Sequence, residues 1–238
     1  MMTKIQVNLQ DMESYFVNEA IRTLRANMQF SGKDNKVIVV TSCDASEGKT
    51  SVSLLLAKSL ADAGKKVAYV DCDLRKSVVL SKYVEAKSVK GLSEYLAGFV
   101  SKEDIVLDTQ IENLSMVISG PSCLNPVELM AKDIFTDFLS WLREEYDYVI
   151  VDTPPLGLVI DSAEIAKHCD SAIFVISVGH VRYIQAKRIK EQLEKSGCKI
   201  MGVVLNYIKK RGDKYYKQYN KKYYGKSYYK SYDEVEEL

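Results

Sequence analysis

The chain has 238 residues, nearly half of them apolar, and a formal net charge of +1. That length suits one α/β domain with a full core, and the near-neutral balance argues against a strongly basic nucleic-acid-binding body. Five scattered cysteines without C-x-x-C spacing exclude a disulfide frame or zinc site, and the lack of a signal peptide or an 18-residue apolar run predicts a soluble, cytoplasmic protein.

The N-terminal part of the chain predicts one helix. Residues 1–10 show no clear pattern and are expected to be loosely attached, whereas 11–30 carry apolar residues at helical spacing. These apolar residues are Ile21, Leu24 and Met28. A different face carries three charged residues, Glu19, Arg22 and Arg25. Taken alone, that charged face favours a solvated surface over a binding role.

The central motif of the chain runs from residue 37 to residue 51. Apolar residues 37–40 predict a strand buried on both faces, and 49–63 predict a helix. Between them, Gly48-Lys49-Thr50 forms the closing half of the phosphate-binding motif G-x-x-x-x-G-K-[ST]. The first glycine of that motif is replaced by Cys43, so an ordinary helix N-terminus is the alternative interpretation.

A phosphate-binding loop gives these residues defined tasks. Free backbone N–H groups at a helix start, together with the helix dipole, bind anionic phosphate. Lys49 would reach the outer phosphates, and the Thr50 hydroxyl would ligate Mg²⁺. The predicted nucleotide-binding residues of the loop are Ser46, Glu47, Gly48, Lys49, Thr50 and Ser51.

Two further strands end in carboxylates. The strand at 67–70 runs into Asp71-Cys72-Asp73-Leu74-Arg75, and the strand at 148–152 ends in Asp152, which Thr153-Pro154-Pro155 follow. Parallel α/β sheets place their sites at the carboxyl ends of strands, which favours metal or catalytic roles for these carboxylates. A turn cap is the alternative for an isolated D-x-D.

The other predicted elements alternate between strand and helix. Strands are expected at 113–119, 172–177 and 201–206, and helices at 91–97, 125–146, from Asp161 and at 182–196. This order predicts a doubly wound, mostly parallel sheet with helices on both faces, of the P-loop NTPase type.

The composition changes after residue 208, which separates a domain at 1–208 from a tail at 209–238. The tail carries nine basic and five acidic residues and no periodic apolar stripe, so disorder is expected there. It also carries eight tyrosines: Tyr215, Tyr216, Tyr219, Tyr223, Tyr224, Tyr228, Tyr229 and Tyr232.

Over nearly its full length the chain resembles the bacterial protein-tyrosine kinases of the capsular and exopolysaccharide type. Residues 47–50 resemble that family's Walker A loop, 67–75 its D-x-D-x-R element, and 148–155 its Walker B element with D-x-P-P. The tyrosine-rich tail resembles the family's autophosphorylation segment. One departure is Ala45-Ser46, where the family commonly has Pro-Gly, which gives this loop less backbone freedom.

The resemblance implies ATP and Mg²⁺ as cofactors and transfer of the γ-phosphoryl group to tyrosine. Lys49 would hold phosphates, and Thr50, Asp73 and Asp152 would form the metal shell. Asp71 would accept the phenol proton, although the roles of Asp71 and Asp73 can be exchanged. Asn206, after the last strand, would contact the nucleotide base.

The resemblance also implies partners. The segment containing Glu19, Arg22 and Arg25 is similar to a family segment implicated in ring-like self-association. A separate membrane activator of the polysaccharide co-polymerase type would recruit the chain to the inner face of the membrane. A cognate tyrosine phosphatase would reverse its phosphorylation, and no nucleic-acid partner is expected.

Two other functions are compatible with parts of the sequence. A partitioning or septum-site ATPase shares the loop, but such proteins carry a lysine after the first loop glycine, where this chain has Asp44. A single-strand nucleic-acid binder would use interleaved bases and aromatics like those of the tail. The acidic chain end and the excess of acids over bases in residues 1–208 argue against it.

Overall fold

The computed structural model describes residues 4–32, 35–86 and 88–208. Within them, a nine-stranded sheet has the order β4-β1-β5-β6-β3-β7-β2-β8-β9. Its strands are β1 Lys4–Val7, β2 Val37–Ser42, β3 Val67–Asp71, β4 Val84–Glu85, β5 Leu107–Thr109, β6 Leu114–Val117, β7 Tyr148–Asp152, β8 Ser171–Ser177 and β9 Lys199–Asn206. The helices are α1 Tyr15–Phe30, α2 Lys49–Asp62, α3 Val79–Lys82, α4 Leu92–Leu96, α5 Lys102–Ile105, α6 Pro126–Met130, α7 Asp133–Glu145, α8 Asp161–Ala166 and α9 Tyr183–Lys195, with a 3-10 turn at Gln10–Met12.

The six strands from β6 to β9 in that order are parallel, which confirms the predicted doubly wound sheet. Only the far edge is mixed among the described strands, because β4 runs antiparallel to β1 and β5 runs antiparallel to β6. The sheet register pairs Asp71 with Asp152 and Val40 with Asp152. The carboxyl ends of β2, β3 and β7 therefore meet at one edge.

The central strands are buried on both faces, as their continuous apolar sequence predicts. In β2, Val37 and Val39 pack into one apolar cluster with α4 and α6 to α9, whereas Ile38 and Val40 pack into another with α1 and α2. Both clusters are closed by helices, so the helices lie on both faces of the sheet and fix where its edge residues point.

The expectation of a loosely attached N-terminus is wrong for residues 4–9. Residues 4–7 form β1, which pairs with β4 and β5. Ile5, Val7 and Leu9 alternate with polar residues and are buried. This period-two alternation is a strand signal that the prediction missed. The short strands β4 and β5, which complete this edge of the sheet, were not predicted either.

The single helix predicted over residues 125–146 is also wrong. The structure divides it into α6 and α7, and Lys132 between them has an extended backbone with ψ of 151°. Met130 and Phe135 are both fully buried in the same apolar cluster. In one continuous helix, five residues of separation would turn these side chains about 140° apart, so the break lets both reach the core.

The start of the first helix also differs from the prediction. Instead of beginning at residue 11, α1 begins at Tyr15, where the Ser14 hydroxyl accepts a hydrogen bond from the Val17 N–H at 3.3 Å. This is a standard N-cap, which the sequence carried as a serine immediately before the helical pattern. The apolar stripe was predicted correctly, since Ile21 and Met28 are buried.

Candidate active site

The loop between β2 and α2 has the backbone of an anion-binding turn. Gly48 is the N-cap of α2 with φ of +83°, and a Cβ atom there would lie 2.0 Å from the Asn206 Nδ2 atom. Only glycine fits this position, because both the backbone conformation and the space exclude a side chain. Ser46 also has a left-handed φ, +61°, and its side chain is exposed. Position 46 thus adopts a glycine-like conformation although it is a serine.

The Glu47 side chain anchors the loop to the sheet. Its buried carboxylate accepts one hydrogen bond from the Asp44 N–H at 2.8 Å and another from the Ser177 N–H at the end of β8 at 2.9 Å. Asn206 at the end of β9 donates to the Glu47 carbonyl at 2.9 Å. The carboxylate and the carbonyl of Glu47 are therefore engaged within the protein, and the Glu47 side chain holds the shape of the loop.

Three predicted residues converge at the start of α2 and the end of β7. Lys49 Nζ lies 3.2 Å from Asp152 Oδ1, and Thr50 Oγ1 donates to Asp152 Oδ2 at 2.7 Å. The Lys49 side chain is 9% exposed and that of Asp152 is 1% exposed. A lysine that binds phosphate is expected to be partly exposed in the free protein, and for Lys49 this expectation is wrong. Its ammonium lies beside a buried carboxylate and is stabilised by remaining with it.

Asp71 lies next to Asp152 across the β3–β7 pairing and is fully buried. It accepts hydrogen bonds from the Ser77 hydroxyl and, at 3.2 Å, from the Asp73 N–H. Desolvation, reinforced by the nearby Asp152 charge, raises the pKa of the Asp71 carboxyl to about 7. A carboxyl group with this pKa exchanges a proton readily near neutral pH.

Asp73 forms a turn cap, which is the alternative interpretation of the D-x-D sequence. Its Oδ1 atom accepts from the backbone N–H groups of Arg75 at 3.2 Å and Lys76 at 2.9 Å, which is a turn cap. In residues 4–32, 35–86 and 88–208, no three Asp, Glu, His or Cys side chains form a group that could hold a metal ion. The structure therefore brings Thr50 and Asp152 into direct contact, whereas the half-buried Asp73 is engaged by its own turn.

Two contacts of the site were not predicted from the sequence. Arg75 forms a two-pronged ion pair with Asp161, with Nε–Oδ2 at 2.6 Å and Nη2–Oδ1 at 3.0 Å, and Asp161 is buried. A Cβ atom on Gly157 would lie 2.2 Å from the Cys43 carbonyl oxygen. In the sequence, Asp161 stands at a predicted helix start and Gly157 follows the double proline. Neither position indicates that Arg75 or Cys43 would be its neighbour in the fold.

Tyrosines at two positions also contact the site. The hydroxyl of the fully buried Tyr69 donates to Asp152 Oδ2 at 3.2 Å. Tyr207, with φ of +58°, places its hydroxyl 3.3 Å from where a Gly48 Cβ would lie. The sequence pattern predicts Tyr69 to be an ordinary core residue of a strand and Tyr207 to lie at the end of a strand. The pattern alone therefore does not predict that either tyrosine contacts the site.

The charged residues of α1 separate into two environments. Glu19 and Arg22 form an exposed ion pair at 2.6 Å. Arg25 turns toward α2, where its Nη1 donates to the Ser59 carbonyl at 2.5 Å and to the Ser59 hydroxyl at 3.1 Å. The face predicted to be shared by all three residues is therefore divided between solvent and a neighbouring helix. The eight predicted tail tyrosines lie outside the described residues.

Relatives of known sequence identify the family. The tyrosine-protein kinase CpsD of Streptococcus agalactiae is 38% identical over 205 residues, which cover 85% of this chain and 90% of the relative. CpsD of Streptococcus pneumoniae is 40% identical over 208 residues, covering 85% and 92%. The chain belongs to the bacterial tyrosine-protein kinase family. The AAA domain family matches residues 35–196, which include both the loop and Asp152.

Among solved structures, a tyrosine kinase domain is likewise more similar to this chain than a septum-site ATPase is. The chimerical protein CapA2B2 has a TM-score of 0.78 at 30% identity, covering 87% of this chain and 94% of that chain. The kinase domain of the Escherichia coli tyrosine kinase ETK has a TM-score of 0.77 at 30% identity, covering 83% and 78%. MinD of Pyrococcus horikoshii is more distant, with a TM-score of 0.61 at 26% identity over 71% and 69%. Among the residues described, no helix has the length and apolar character needed to cross a membrane.

Proposed function

We propose that this chain transfers the γ-phosphoryl group of ATP to tyrosines of the 209–238 segment, and that it does so on another copy of the chain. The observation that supports this most is the contact of Lys49 and Thr50 with Asp152 beneath a loop of phosphate-binding conformation. Family membership supplies the acceptor class, because the relatives named above are tyrosine-protein kinases.

The residues present fit a magnesium ion that shares its ligands with a nucleotide. Thr50 and Asp152 offer the hard oxygen atoms that Mg²⁺ prefers, 2.7 Å apart. Mg²⁺ in such sites is held by few protein ligands together with phosphate and water oxygens, which agrees with the lack of a three-residue metal cluster among the described residues. MinD of Pyrococcus horikoshii was solved with Mg-ADP. When bound, Mg²⁺ would neutralise charge on the phosphates.

The chain's own groups would then act as follows. The backbone N–H groups of residues 46–51 would bind the phosphates, and Lys49 would move from Asp152 to the outer phosphates. Thr50 and Asp152 would hold the metal, with Asp73 as a further ligand through Oδ2, since its Oδ1 accepts from the turn. Asn206 would contact the base.

Asp71 is the proposed acceptor of the tyrosine proton. Its burial beside Asp152 keeps its pKa at about 7, close to the working pH of a general base. Because Asp73 is occupied by its own turn, the geometry favours Asp71 over Asp73 for this role.

Transfer between copies requires that the 209–238 segment of one copy can reach the active site of another. The sequence of residues 209–238 predicts a disordered chain, and a disordered chain of that length would have an end-to-end distance of about 30 Å, comparable with the diameter of one domain. A ring-like assembly nucleated by α1 would place a neighbour's site within that distance, with Glu19, Arg22 and Arg25 at the interface. Of these, Arg22 is the most available, since its side chain is 63% exposed.

The proposed biological role is regulation of capsular or exopolysaccharide synthesis and export. A separate membrane activator of the polysaccharide co-polymerase type would bring the chain to the inner face of the membrane. A cognate phosphatase would return the tail tyrosines to their unmodified form. These partners are proposed from family membership.

The deciding experiment incubates the purified full chain with Mg-ATP, with and without the activator, and maps phosphotyrosine by mass spectrometry. We expect phosphate on the tail tyrosines. Lys190→Met, which removes an exposed lysine paired with Glu194, is the matched control for Lys49→Met and should behave like the wild type. ATP hydrolysis without any phosphotyrosine would contradict the kinase proposal and favour the partitioning-type ATPase that the MinD likeness suggests.

A second mixture tests transfer between copies. An inactive Lys49→Met chain with its tail is combined with an active chain truncated after Tyr207. We expect the inactive chain to become phosphorylated. If it stays unmodified although sedimentation shows that the two associate, transfer occurs within one chain instead.

A further inference from the structure

Tyr69 places a polar hydroxyl group inside the sheet. It lies in the middle of β3 between Ala68 and Val70, and none of its side chain is exposed. An apolar side chain could fill such a position without burying a polar atom, and an unbonded buried hydroxyl would cost free energy. The Tyr69 hydroxyl donates to one carboxylate oxygen, Asp152 Oδ2, at 3.2 Å, and the Ser53 side chain is a second hydrogen-bond partner.

Asp152 accepts hydrogen bonds from three side chains of the described structure. Lys49 contacts Oδ1, whereas Thr50 and Tyr69 both contact Oδ2. In the proposed function, Lys49 leaves for the phosphates and Thr50 turns an oxygen lone pair to the metal. Tyr69 has no such second task, because β3 pairs with β7 along its length and holds the phenol inside the sheet.

We infer that Tyr69 is a positioning residue for the magnesium site: its hydroxyl keeps the Asp152 carboxylate in one orientation while the nucleotide and the metal bind. This inference rests on the proposed function, since it requires Asp152 to hold magnesium. Outer hydrogen-bond partners of metal-holding carboxylates are known to change metal affinity or activity by about 10- to 100-fold when removed. Tyr69 would be such a partner.

The test is the variant Tyr69→Phe, which removes the hydroxyl and keeps the ring that fills the core. Two quantities are measured: the Mg²⁺ concentration that gives half-maximal phosphorylation, and the affinity of the ADP-bound chain for Mn²⁺ as followed by electron paramagnetic resonance. We expect both to weaken by about ten-fold. Binding of nucleotide without metal should stay within two-fold of the wild type.

Tyr146→Phe is the matched control. Tyr146 is also a buried tyrosine, and its hydroxyl bonds to Ser115, away from the catalytic edge. Each variant loses one tyrosine hydroxyl together with its side-chain hydrogen bonds, so a purely structural role of Tyr69 predicts lowered melting temperatures but unchanged metal dependence in both. That result would overturn the inference.

Asp152→Asn separates this inference from the proposed function. If Asp152→Asn strongly weakens Mn²⁺ affinity but Tyr69→Phe leaves that affinity within two-fold of the wild type, the magnesium site stands and Tyr69 does not position it. If Asp152→Asn leaves Mn²⁺ affinity unchanged as well, the proposed metal site is wrong and the Tyr69 inference falls with it.

Discussion

The carboxyl edge of the sheet and the outer surface of α1 use charge in opposite ways. At the edge, Lys49, Asp71, Asp152 and Asp161 are buried, and each has a specific partner. On α1, Glu19 and Arg22 pair with both side chains about half exposed or more. Buried charges are destabilising unless their geometry is right, whereas exposed pairs contribute little to stability.

The comparison explains why the two regions should respond differently to mutation. At the edge, each change leaves a buried group without its partner or moves a backbone that cannot adjust. On α1, a change removes contacts that solvent can replace. Effects on catalysis should therefore be concentrated at the edge, and changes to the exposed pair on α1 should show only in the association of copies.

Lys49→Met should have the largest effect. Removing the only cation that contacts Asp152 in the described structure should reduce tyrosine phosphorylation by about a thousand-fold or more, because charge stabilisation of the phosphoryl group is lost. Circular dichroism should show unchanged secondary structure, since Thr50 and Tyr69 still donate to Asp152. Undiminished phosphotyrosine in this variant would refute the assignment of the site.

Gly157→Ala should affect the loop through packing alone. The new methyl group would meet the Cys43 carbonyl at 2.2 Å, so the loop backbone must move. We expect a loss of about 1–3 kcal/mol in the free energy of unfolding and weaker nucleotide binding, measured by denaturant titration and calorimetry. Gly202→Ala is the control, because nothing lies within 4 Å of a Cβ atom there. Equal behaviour of the two variants would contradict the close approach.

Arg22→Ala combined with Arg25→Ala should weaken self-association without changing secondary structure. The single variants sharpen the comparison: Arg22→Ala should act on association alone, and Arg25→Ala should also lower the melting temperature by breaking its bonds to Ser59. Sedimentation velocity and thermal unfolding measure the two effects. Unchanged sedimentation of the double variant would mean that neither arginine takes part in self-association.

Ser46→Gly should have the smallest effect. It relieves a left-handed serine, which costs about 1–2 kcal/mol, but glycine adds freedom to the unfolded chain worth roughly 0.5–1 kcal/mol. The net change in the free energy of unfolding should be a stabilisation of less than about 1.5 kcal/mol, measured by chemical denaturation. Clear destabilisation would mean that the serine side chain itself supports the loop.

Much of the fold was predictable, and the failures have a common cause. The strands that end at Ser42, Asp71 and Asp152 were predicted because they are continuous apolar runs followed by polar turns. The strand at residues 4–7 was missed because it is short and half polar, and it is stabilised by pairing with β4 and β5. The helix break near Lys132 was missed because it is caused by tertiary packing. Met130 and Phe135 are both buried in one apolar cluster whose other members come from distant parts of the chain.

The sequence by itself determined the phosphate-binding loop, the carboxylates after two strands and the family, because these depend on residue types at fixed local spacing. Only the tertiary structure decided the partners of those residues. It placed Lys49 on Asp152, Arg75 on Asp161 and Tyr69 behind the site. These contacts join residues 83 to 103 positions apart, which the parallel register of β2, β3 and β7 brings together, and no local pattern encodes a register between distant strands.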